Sequence, residues 1–226
     1  SPYKKEKFNQ QQIEDLVRCT QDPQYFIENF VWIQHPVKGR MKFDLFDFQR
    51  GLLDAYHNHR YSIALISRQM GKSTAAAAYL LWYAMYVPDQ TILIAAHKYS
   101  GAQEIMQRIR FAYELLPDHV RAGVTAYNKG SLEFDNGSRI IAQATTENTG
   151  RGLSISLAYL DEFAFVRPTI AREFWTSLSP TLSTGGKCII TSTPNQDDDQ
   201  FAQIWRGACN TLDDFGNEKE VGKNGF

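Results

Sequence analysis

A short apolar strand that runs straight into a glycine-containing loop and then a long alanine-rich helix constrains this fold more than any other feature. The apolar run covers residues 61–66, the loop covers residues 67–74, and the helical pattern covers residues 72–86. The apolar part of that helix is too short to cross a bilayer and is typical of a buried core helix. The segment therefore predicts a strand and a helix joined by a tight loop.

Short apolar strands and helices keep alternating along the rest of the chain. Further strands are predicted at 91–96, 156–160 and 188–191, and further helices at 99–116 and 169–178. A hairpin is predicted where Asp135-Asn136-Gly137 separates the apolar runs 131–134 and 138–142. Buried strands that alternate with helices predict an α/β fold with a mostly parallel central sheet and helices on both faces.

Length and composition fit one large domain with an extension at each end. The chain has 226 residues, of which 43% are hydrophobic and 22% charged, an ordinary globular mixture. Residues 1–45 carry helical periodicity, with a helix start at Asp22-Pro23, and are predicted to pack as a helical extension on a core of residues 46–209. Residues 210–226 are polar and rich in Gly and Asn, which indicates a linker or the start of a lid.

Charge and cysteine content narrow the function classes. The formal net charge is −1, so the chain lacks the overall cationic field of many nucleic-acid binders, although a local patch is not excluded. Cys19, Cys188 and Cys209 have no close spacing and indicate reduced thiols of an intracellular protein. No apolar segment follows the first residues, so we expect a soluble protein without signal peptide or membrane contact.

The loop after the first strand has the chemistry of a phosphate-binding P-loop. Backbone N–H groups at a helix start attract phosphate, a lysine there reaches the β- and γ-phosphates, and a following serine can complete a Mg²⁺ shell. The predicted nucleotide-binding residues are Ser67, Arg68, Gln69, Met70, Gly71, Lys72, Ser73 and Thr74. Ile66 stands where the usual first glycine would be. A capping Ser and a solvated Lys can also begin any helix, so the loop alone leaves that interpretation open.

Two consecutive carboxylates, Asp161 and Glu162, follow a predicted strand. The aspartate can hold Mg²⁺ directly or through water, and the glutamate can orient and polarise the attacking water. An acidic pair after a strand is also a common helix cap. Downstream of a P-loop, however, such carboxylates converge on one nucleotide, and the two motifs together predict an ATPase that uses ATP and Mg²⁺.

Two polar segments are further candidates. Thr191-Ser192-Thr193-Pro194-Asn195 ends a predicted strand, where its hydroxyls and amide could sense the γ-phosphate, although Thr-Pro-Asn is also ordinary turn chemistry. Gln49 precedes the strand that feeds the P-loop, where its amide could bond the adenine edge while an aromatic ring packs on the base. For the segment around Gln49 alone, a plain amphipathic helix is the better interpretation.

Magnesium bound with ATP is the only metal expected. His57 and His59 have no nearby third ligand and are typical of surface or helix-end histidines. Asp197-Asp198-Asp199 is a run of carboxylates that point in different directions, so it is interpreted as solvated and not as a nuclease site.

With these residues in place, the chain resembles the ATPase domain of tailed-phage large terminases, particularly the contractile-tailed (myovirus) type. The resemblance runs from about residue 46 to about residue 205. Besides the P-loop and Thr191-Ser-Thr-Pro-Asn195, it rests on Ala96-His-Lys98, Leu115-Leu-Pro-Asp118, Tyr127-Asn-Lys-Gly-Ser131, Asp135-Asn-Gly-Ser138, Arg151-Gly152 and Tyr159-Leu-Asp-Glu-Phe-Ala-Phe165. Terminases of this kind replace the first P-loop glycine and place an arginine inside the loop.

The resemblance implies a RecA-like P-loop NTPase fold of the ASCE type. It implies that Gln49 contacts adenine and that Lys72 and Ser73 bind the phosphates and Mg²⁺. It makes Asp161 the Walker B aspartate and Glu162 the catalytic carboxylate. The coupling motif that links hydrolysis to movement would be Thr191, Ser192, Thr193 and Asn195.

Two arginines compete for the finger that stabilises transition-state charge. Arg68 lies inside its own P-loop, and we interpret it as a nucleotide-sensing residue acting in cis. Arg151 lies in a glycine-flanked loop before the Walker B strand and is the favoured residue to act in trans on a neighbouring subunit. The alternative for Arg151 is a solvated loop arginine.

The function implied by the resemblance is ATP hydrolysis that drives double-stranded viral DNA into a procapsid. The implied partners are a portal protein, a small terminase subunit and further copies in a ring, with a monomer expected for the isolated domain. The implied location is the host cytoplasm, with transient docking on the procapsid and no place in the mature virion. The family's C-terminal nuclease domain would not fit within this sequence. A helicase-like P-loop ATPase would need a second RecA-like domain, and a nucleotide-gated assembly module would not need Glu162.

Overall fold

The computed structural model describes residues 2–3, 5–196 and 199–226. The helices in these ranges are α1 (Gln10–Gln21), α2 (Pro23–Phe30), α3 (Asp47–Asn58), α4 (Lys72–Tyr86), α5 (Tyr99–Glu114), α6 (Pro168–Leu182) and α7 (Gln200–Cys209). The strands are β1 (Trp32–His35), β2 (Gly39–Lys42), β3 (Tyr61–Leu65), β4 (Thr91–Ala96), β5 (Val124–Tyr127), β6 (Ser131–Phe134), β7 (Arg139–Ala144), β8 (Leu157–Asp161) and β9 (Lys187–Ser192). A short 3-10 turn, Phe163–Phe165, follows β8.

Strands β3 to β9 form one sheet in the order β3-β9-β8-β4-β7-β6-β5. Strand β9 pairs in parallel with both β3 and β8. Strand β6 pairs antiparallel with β5 and β7, which includes the predicted hairpin. The predicted α/β class with a mostly parallel sheet and helices around it is confirmed. Strands β1 and β2 form a separate antiparallel hairpin.

The chain divides into two compact units. One unit comprises Ser1–Leu53, Gly71–Ile92 and Gln103–Ala142, and the other comprises Asp54–Met70, Leu93–Ala102 and Gln143–Phe226. The boundary falls within the P-loop sequence, because residues 67–70 belong to the second unit and Gly71 begins a segment of the first.

Helix α4 is the buried element of the first unit. Its side chains are apolar almost all round and are mostly buried, as expected of a helix inside a core. Trp82 Nε1 donates to the carbonyl of Cys19 in α1 at 2.7 Å. At the other end of α4, Asn136 Nδ2 donates to the carbonyls of Ala84 and Met85 at 2.9 and 3.0 Å. The turn of the β6–β7 hairpin therefore satisfies the last carbonyls of the helix.

The second unit has its core around β8, β9, α6 and α7. Phe163, Phe174 and Ile190 belong to one buried cluster there, together with Cys188. The tail after α7 packs on the same unit, because Phe226 stacks on Tyr61 with ring centroids 5.2 Å apart.

Four elements were not predicted as such. Strands β1, β2 and β5 are four residues long, and they lack the adjacent Asp-Asn-Gly turn that marked β6, a strand of the same length, as part of a hairpin. Helix α7 did carry a helical signal, since Phe201, Ile204 and Trp205 follow the i, i+3, i+4 spacing. Its N-cap is Asp199, whose carboxylate accepts the backbone N–H of Ala202 at 2.7 Å.

Candidate nucleotide-binding site

Helix α4 begins at the glycine of the P-loop. Gly71 is the N-cap residue, has a left-handed backbone (φ 71°, ψ 18°) and provides no side-chain cap. The first N–H groups of a helix have no partner within the helix, and such a helix start favours anions. Lys72 is buried, while Ser73 and Thr74 are half-buried. The arrangement fits a phosphate group held by backbone N–H groups.

Gln49 lies directly against the P-loop glycine. Its side chain is 2% exposed, and its Oε1 accepts the backbone N–H of Phe46 at 3.0 Å. A Cβ atom on Gly71 would lie 2.7 Å from Gln49 Nε2. Both the backbone angle and this close approach therefore require glycine at residue 71.

Two aromatic rings stand beside Gln49. Phe46 and Phe48 stack with centroids 5.9 Å apart and an interplanar angle of 11°, and both remain exposed. An exposed aromatic face next to a buried amide is a suitable surface for a flat base. The adenine contact of Gln49 stays a prediction.

Arg108 is a residue that the sequence patterns did not identify. Its Nη1 donates to Thr74 Oγ1 at 2.6 Å, which joins α5 to the first turn of α4. The two residues are 34 positions apart, so no local motif relates them.

The first half of the P-loop is exposed in the second unit. Ser67, Arg68, Gln69 and Met70 are all exposed, and Gln69 has a left-handed backbone (φ 62°). Where the loop leaves β3, the backbone N–H of Ile66 donates to the carbonyl of Ser192 at 3.0 Å. The Arg68 guanidinium forms no hydrogen bond or ion pair within the described residues. Arg68 is therefore available for a charged ligand.

Asp161 ends β8 in a buried polar cluster with two hydroxyl groups. Its Oδ1 accepts the hydroxyls of Thr191 at 3.1 Å and Tyr159 at 3.2 Å. The hydroxyls of Tyr159 and Thr191 are themselves 2.9 Å apart. Burial, and then the nearby Asp161 charge, raise the pKa of Tyr159 far above its ordinary value. Tyr159 therefore stays a neutral donor that orients the carboxylate.

Glu162 follows Asp161 with a left-handed backbone (φ 52°, ψ 43°). Its Oε2 accepts the backbone N–H of Thr193 at 3.3 Å and the hydroxyl of Thr193 at 3.1 Å. A non-glycine residue in this conformation is uncommon and is found where surrounding structure holds it. The contact places the carboxylate of Glu162 against the predicted coupling motif.

The rest of the coupling motif binds the chain just after Glu162. Ser192 Oγ accepts the backbone N–H of Ala164 at 3.2 Å, and Asn195 Nδ2 donates to the carbonyl of Ala164 at 3.0 Å. The backbone N–H and the carbonyl of Ala164 are therefore both hydrogen-bonded, the first to Ser192 and the second to Asn195. The Asp161-Glu162 pair and the segment 191–195 form one hydrogen-bonded assembly within the second unit.

Arg151 lies on an ordered turn. Thr149 Oγ1 donates to the carbonyl of Ala144 at 2.6 Å and accepts the backbone N–H of Thr146 at 2.8 Å. The side chain of Arg151 is exposed and has no hydrogen bond or ion pair in the part of the chain that the structure describes. The turn therefore presents a guanidinium to solvent.

The sequence also singled out His57, His59 and Asp197-Asp198-Asp199. His59 Nε2 is 3.1 Å from Glu220. Asp197 and Asp198 lie outside the described residues. Among the residues described, no group of three His, Cys, Asp or Glu could hold a metal ion, and no helix there is long and apolar enough to span a membrane.

Solved structures with the same fold include phage large terminases. The HK97 bacteriophage large terminase matches with a TM-score of 0.68 and 23% identity, over 82% of this chain and 40% of that one. The ATPase domain of the Thermus phage P74-26 large terminase matches with a TM-score of 0.60 and 22% identity, over 81% and 76% of the two chains. The large terminase of thermophilic bacteriophage D6E, solved in complex with ADP, matches with a TM-score of 0.57 and 13% identity, over 70% and 41%.

These structural likenesses show the RecA-like P-loop fold, and the chain spans two fifths of the HK97 enzyme's length. The family assignment comes from a sequence match. The family described as "Terminase large subunit, T4likevirus-type, N-terminal" matches residues 63–220, which is well over half of the chain and includes the P-loop, the Asp161-Glu162 pair and the segment 191–195. The chain belongs to the T4-like family of terminase large subunits and represents their N-terminal region.

Proposed function

We propose that this chain hydrolyses ATP to drive double-stranded viral DNA into a procapsid. The observation that carries the proposal is the position of the Glu162 carboxylate, which Thr193 holds through two hydrogen bonds directly after Asp161. A carboxylate fixed in this way is suited to orient and polarise an attacking water. A protein that only binds nucleotide has no need for it.

The nucleotide is held by the residues around the P-loop. Lys72 and the first N–H groups of α4 bind the phosphates, and Gln49 with the Phe46–Phe48 pair contacts the base. Ser73 and Asp161 are the proposed ligands of Mg²⁺, which, when bound, neutralises phosphate charge. The thiols and histidines of the chain take no part in this chemistry.

Arg151 is the proposed finger that acts in trans, and Arg68 is the proposed sensor in cis. The guanidinium of Arg151 is exposed on an ordered turn and has no partner among the described residues, which supports this division of roles. A trans-acting finger makes turnover depend on a ring of copies, and its contribution is about 10³ to 10⁵ in rate. The ring, the portal protein and the small terminase subunit are the proposed partners, in the host cytoplasm and at the procapsid.

Steady-state ATP hydrolysis with and without Mg²⁺ tests the enzyme. We expect Glu162→Gln to keep ATP binding and lose at least about 10² in kcat, and Lys72→Ala to lose binding. Glu173→Gln, an exposed carboxylate on α6, is the matched control and should hydrolyse ATP normally. Turnover by Glu162→Gln at the control rate would reject the assigned role.

Mixing variants tests the arginine in trans. Arg151→Ala has a complete P-loop but lacks the finger, and Lys72→Ala has the finger but cannot bind ATP. We expect the mixture to regain turnover that neither variant shows alone, because each supplies what the other lacks. A mixture of Arg68→Ala with Lys72→Ala should stay inactive if Arg68 acts in cis. Regained turnover only in the second mixture would exchange the two roles.

A further inference from the structure

The β1–β2 hairpin has a one-sided charge. Residues 29–43 contain Lys38, Arg40 and Lys42 but no Asp or Glu. The whole chain, by contrast, has a net charge of −1. The hairpin is therefore a local cationic segment in a nearly neutral protein.

The pairing register places the cations on one face. Trp32 lies opposite Lys42, and Gln34 lies opposite Arg40. Residues two apart along a strand share a face, so these four side chains form a single surface. Arg40 Cζ lies 5.8 Å, and Lys42 Nζ 5.1 Å, from the centre of the Trp32 ring. The aromatic ring thus holds two cations side by side. We call these four residues the hairpin face.

The cations of this surface have no carboxylate partner among the residues that the structure describes. Lys38, Arg40 and Lys42 form no ion pair with any described residue. Lys42 Nζ donates to a neutral acceptor, the carbonyl of Asn29, at 2.6 Å.

The turn of the hairpin is held in place. His35 Nδ1 accepts the backbone N–H groups of Val37 and Lys38, each at 3.1 Å. This fixes the turn on which the exposed Lys38 lies. The positive charge is therefore both ordered and uncompensated.

We propose that the hairpin face, with Lys38 at its turn, binds the phosphate backbone of double-stranded DNA. This inference rests on the proposed function, which requires a grip on a polyanion that a net charge of −1 cannot supply. Lysine and arginine contacts to phosphate carry no sequence information. Such contacts suit an enzyme that moves along DNA of any sequence.

The salt dependence of duplex binding by the full chain tests the proposal. The probe is a fluorescent DNA duplex of random sequence, titrated between 50 and 200 mM salt. Each phosphate contact contributes about 0.9 to the slope of log K against log salt concentration. We therefore expect Lys38→Ala/Arg40→Ala to lower the slope by about 2, so that its affinity falls about tenfold less than wild type over this range.

Two controls make the result specific. Arg172→Ala/Lys219→Ala removes the same charge from exposed positions of the other unit and should keep the wild-type slope. Lys38→Arg/Arg40→Lys keeps both charges and should therefore also keep the wild-type slope. Thermal unfolding of every variant shows whether the fold is intact.

Three results would overturn the proposal: no duplex binding by wild type, an unchanged slope in Lys38→Ala/Arg40→Ala, or an equal loss in both charge-removing variants. A variant that binds DNA normally but fails to assemble with other copies would assign the hairpin face to an acidic protein surface instead. ATP turnover is measured in parallel. A lowered slope in Lys38→Ala/Arg40→Ala, with no turnover by any protein even at concentrations at which copies assemble, would leave the DNA surface standing and reject the motor.

Discussion

Thr193 donates both its backbone N–H and its hydroxyl to the same oxygen of Glu162, at 3.3 and 3.1 Å. The two residues directly follow adjacent parallel strands, since β8 pairs with β9 from Leu157↔Lys187 to Asp161↔Thr191. The orientation of the proposed catalytic carboxylate therefore depends on a residue of the proposed coupling motif.

Thr193→Val should lower kcat for ATP hydrolysis by about tenfold, with KM nearly unchanged. Valine keeps the shape and the backbone N–H but removes the hydroxyl donor, and the loss of one hydrogen bond to a charged group, about 1.4 kcal/mol, corresponds to this change in rate. Thr193→Ser restores the donor and should restore kcat. A purely structural role would predict equal effects of Val and Ser on kcat, or a loss confined to KM.

Tyr159→Phe should destabilise the fold by about 1–2 kcal/mol, because it removes a buried hydroxyl that bridges Asp161 and Thr191. Those two residues keep their own hydrogen bond, so the loss should stay moderate. Urea unfolding measures the change, and Tyr99→Phe, with an exposed ring, serves as control. Equal stability of the two variants would show that the bridge contributes nothing.

The sequence correctly predicted structural features that depend on residues close to one another along the chain. The predicted bounds of α4 and β4 match the observed ones, because long runs of one pattern leave few alternatives. Asp161, Glu162 and Lys72 were identifiable because each follows a strand or begins a helix. Their own roles still await the experiments above.

Contacts between residues that are far apart in the chain could not be predicted from the sequence. The hydrogen bonds of Glu162 to Thr193 and of Asp161 to Thr191 depend on which strands are adjacent in the sheet, and chain order does not fix that. Tyr159 did carry a weak signal, since a residue two positions before Asp161 shares its face of the strand. The approach of Gln49 to Gly71 had no local signal.

Gly71→Ala should destabilise the fold more than Gly39→Ala. Both glycines have nearly the same left-handed backbone, φ 71° and 70°, so both variants lose about 1 kcal/mol from backbone strain. A Cβ at residue 39 would meet nothing within 4 Å, whereas one at residue 71 would lie 2.7 Å from Gln49 Nε2. We expect a further loss of about 1–2 kcal/mol at residue 71 from overpacking.

A double-mutant cycle tests whether Gln49 causes the larger destabilisation at residue 71. In the Gln49→Ala background, Gly71→Ala should lower the free energy of unfolding no more than Gly39→Ala does, as measured by chemical unfolding. If Gly71→Ala is as destabilising in that background as in the wild type, the contact with Gln49 is not the source of the difference.

One thiol should react quickly in the native protein, and three after unfolding. Cys209 is exposed, while Cys19 and Cys188 are buried. Burial raises the pKa of Cys19 to about 12 and raises the pKa of Cys188 even further. The thiolate is the reactive form, so raising the pH to 9 should not turn Cys19 or Cys188 into a second fast thiol. Titration with a chromogenic disulfide measures this, and Cys209→Ser should abolish the fast phase.

Helix α4 is one continuous helix that connects the P-loop to the β6–β7 turn. Its first turn carries Lys72, and its last carbonyls are bonded to Asn136. At about 1.5 Å per residue, the helix is roughly 22 Å long. Lys72 at the start of α4 and the β6–β7 turn at its end are therefore joined through one continuous helix of the first unit, so the turn lies about four helical turns from the proposed phosphate site.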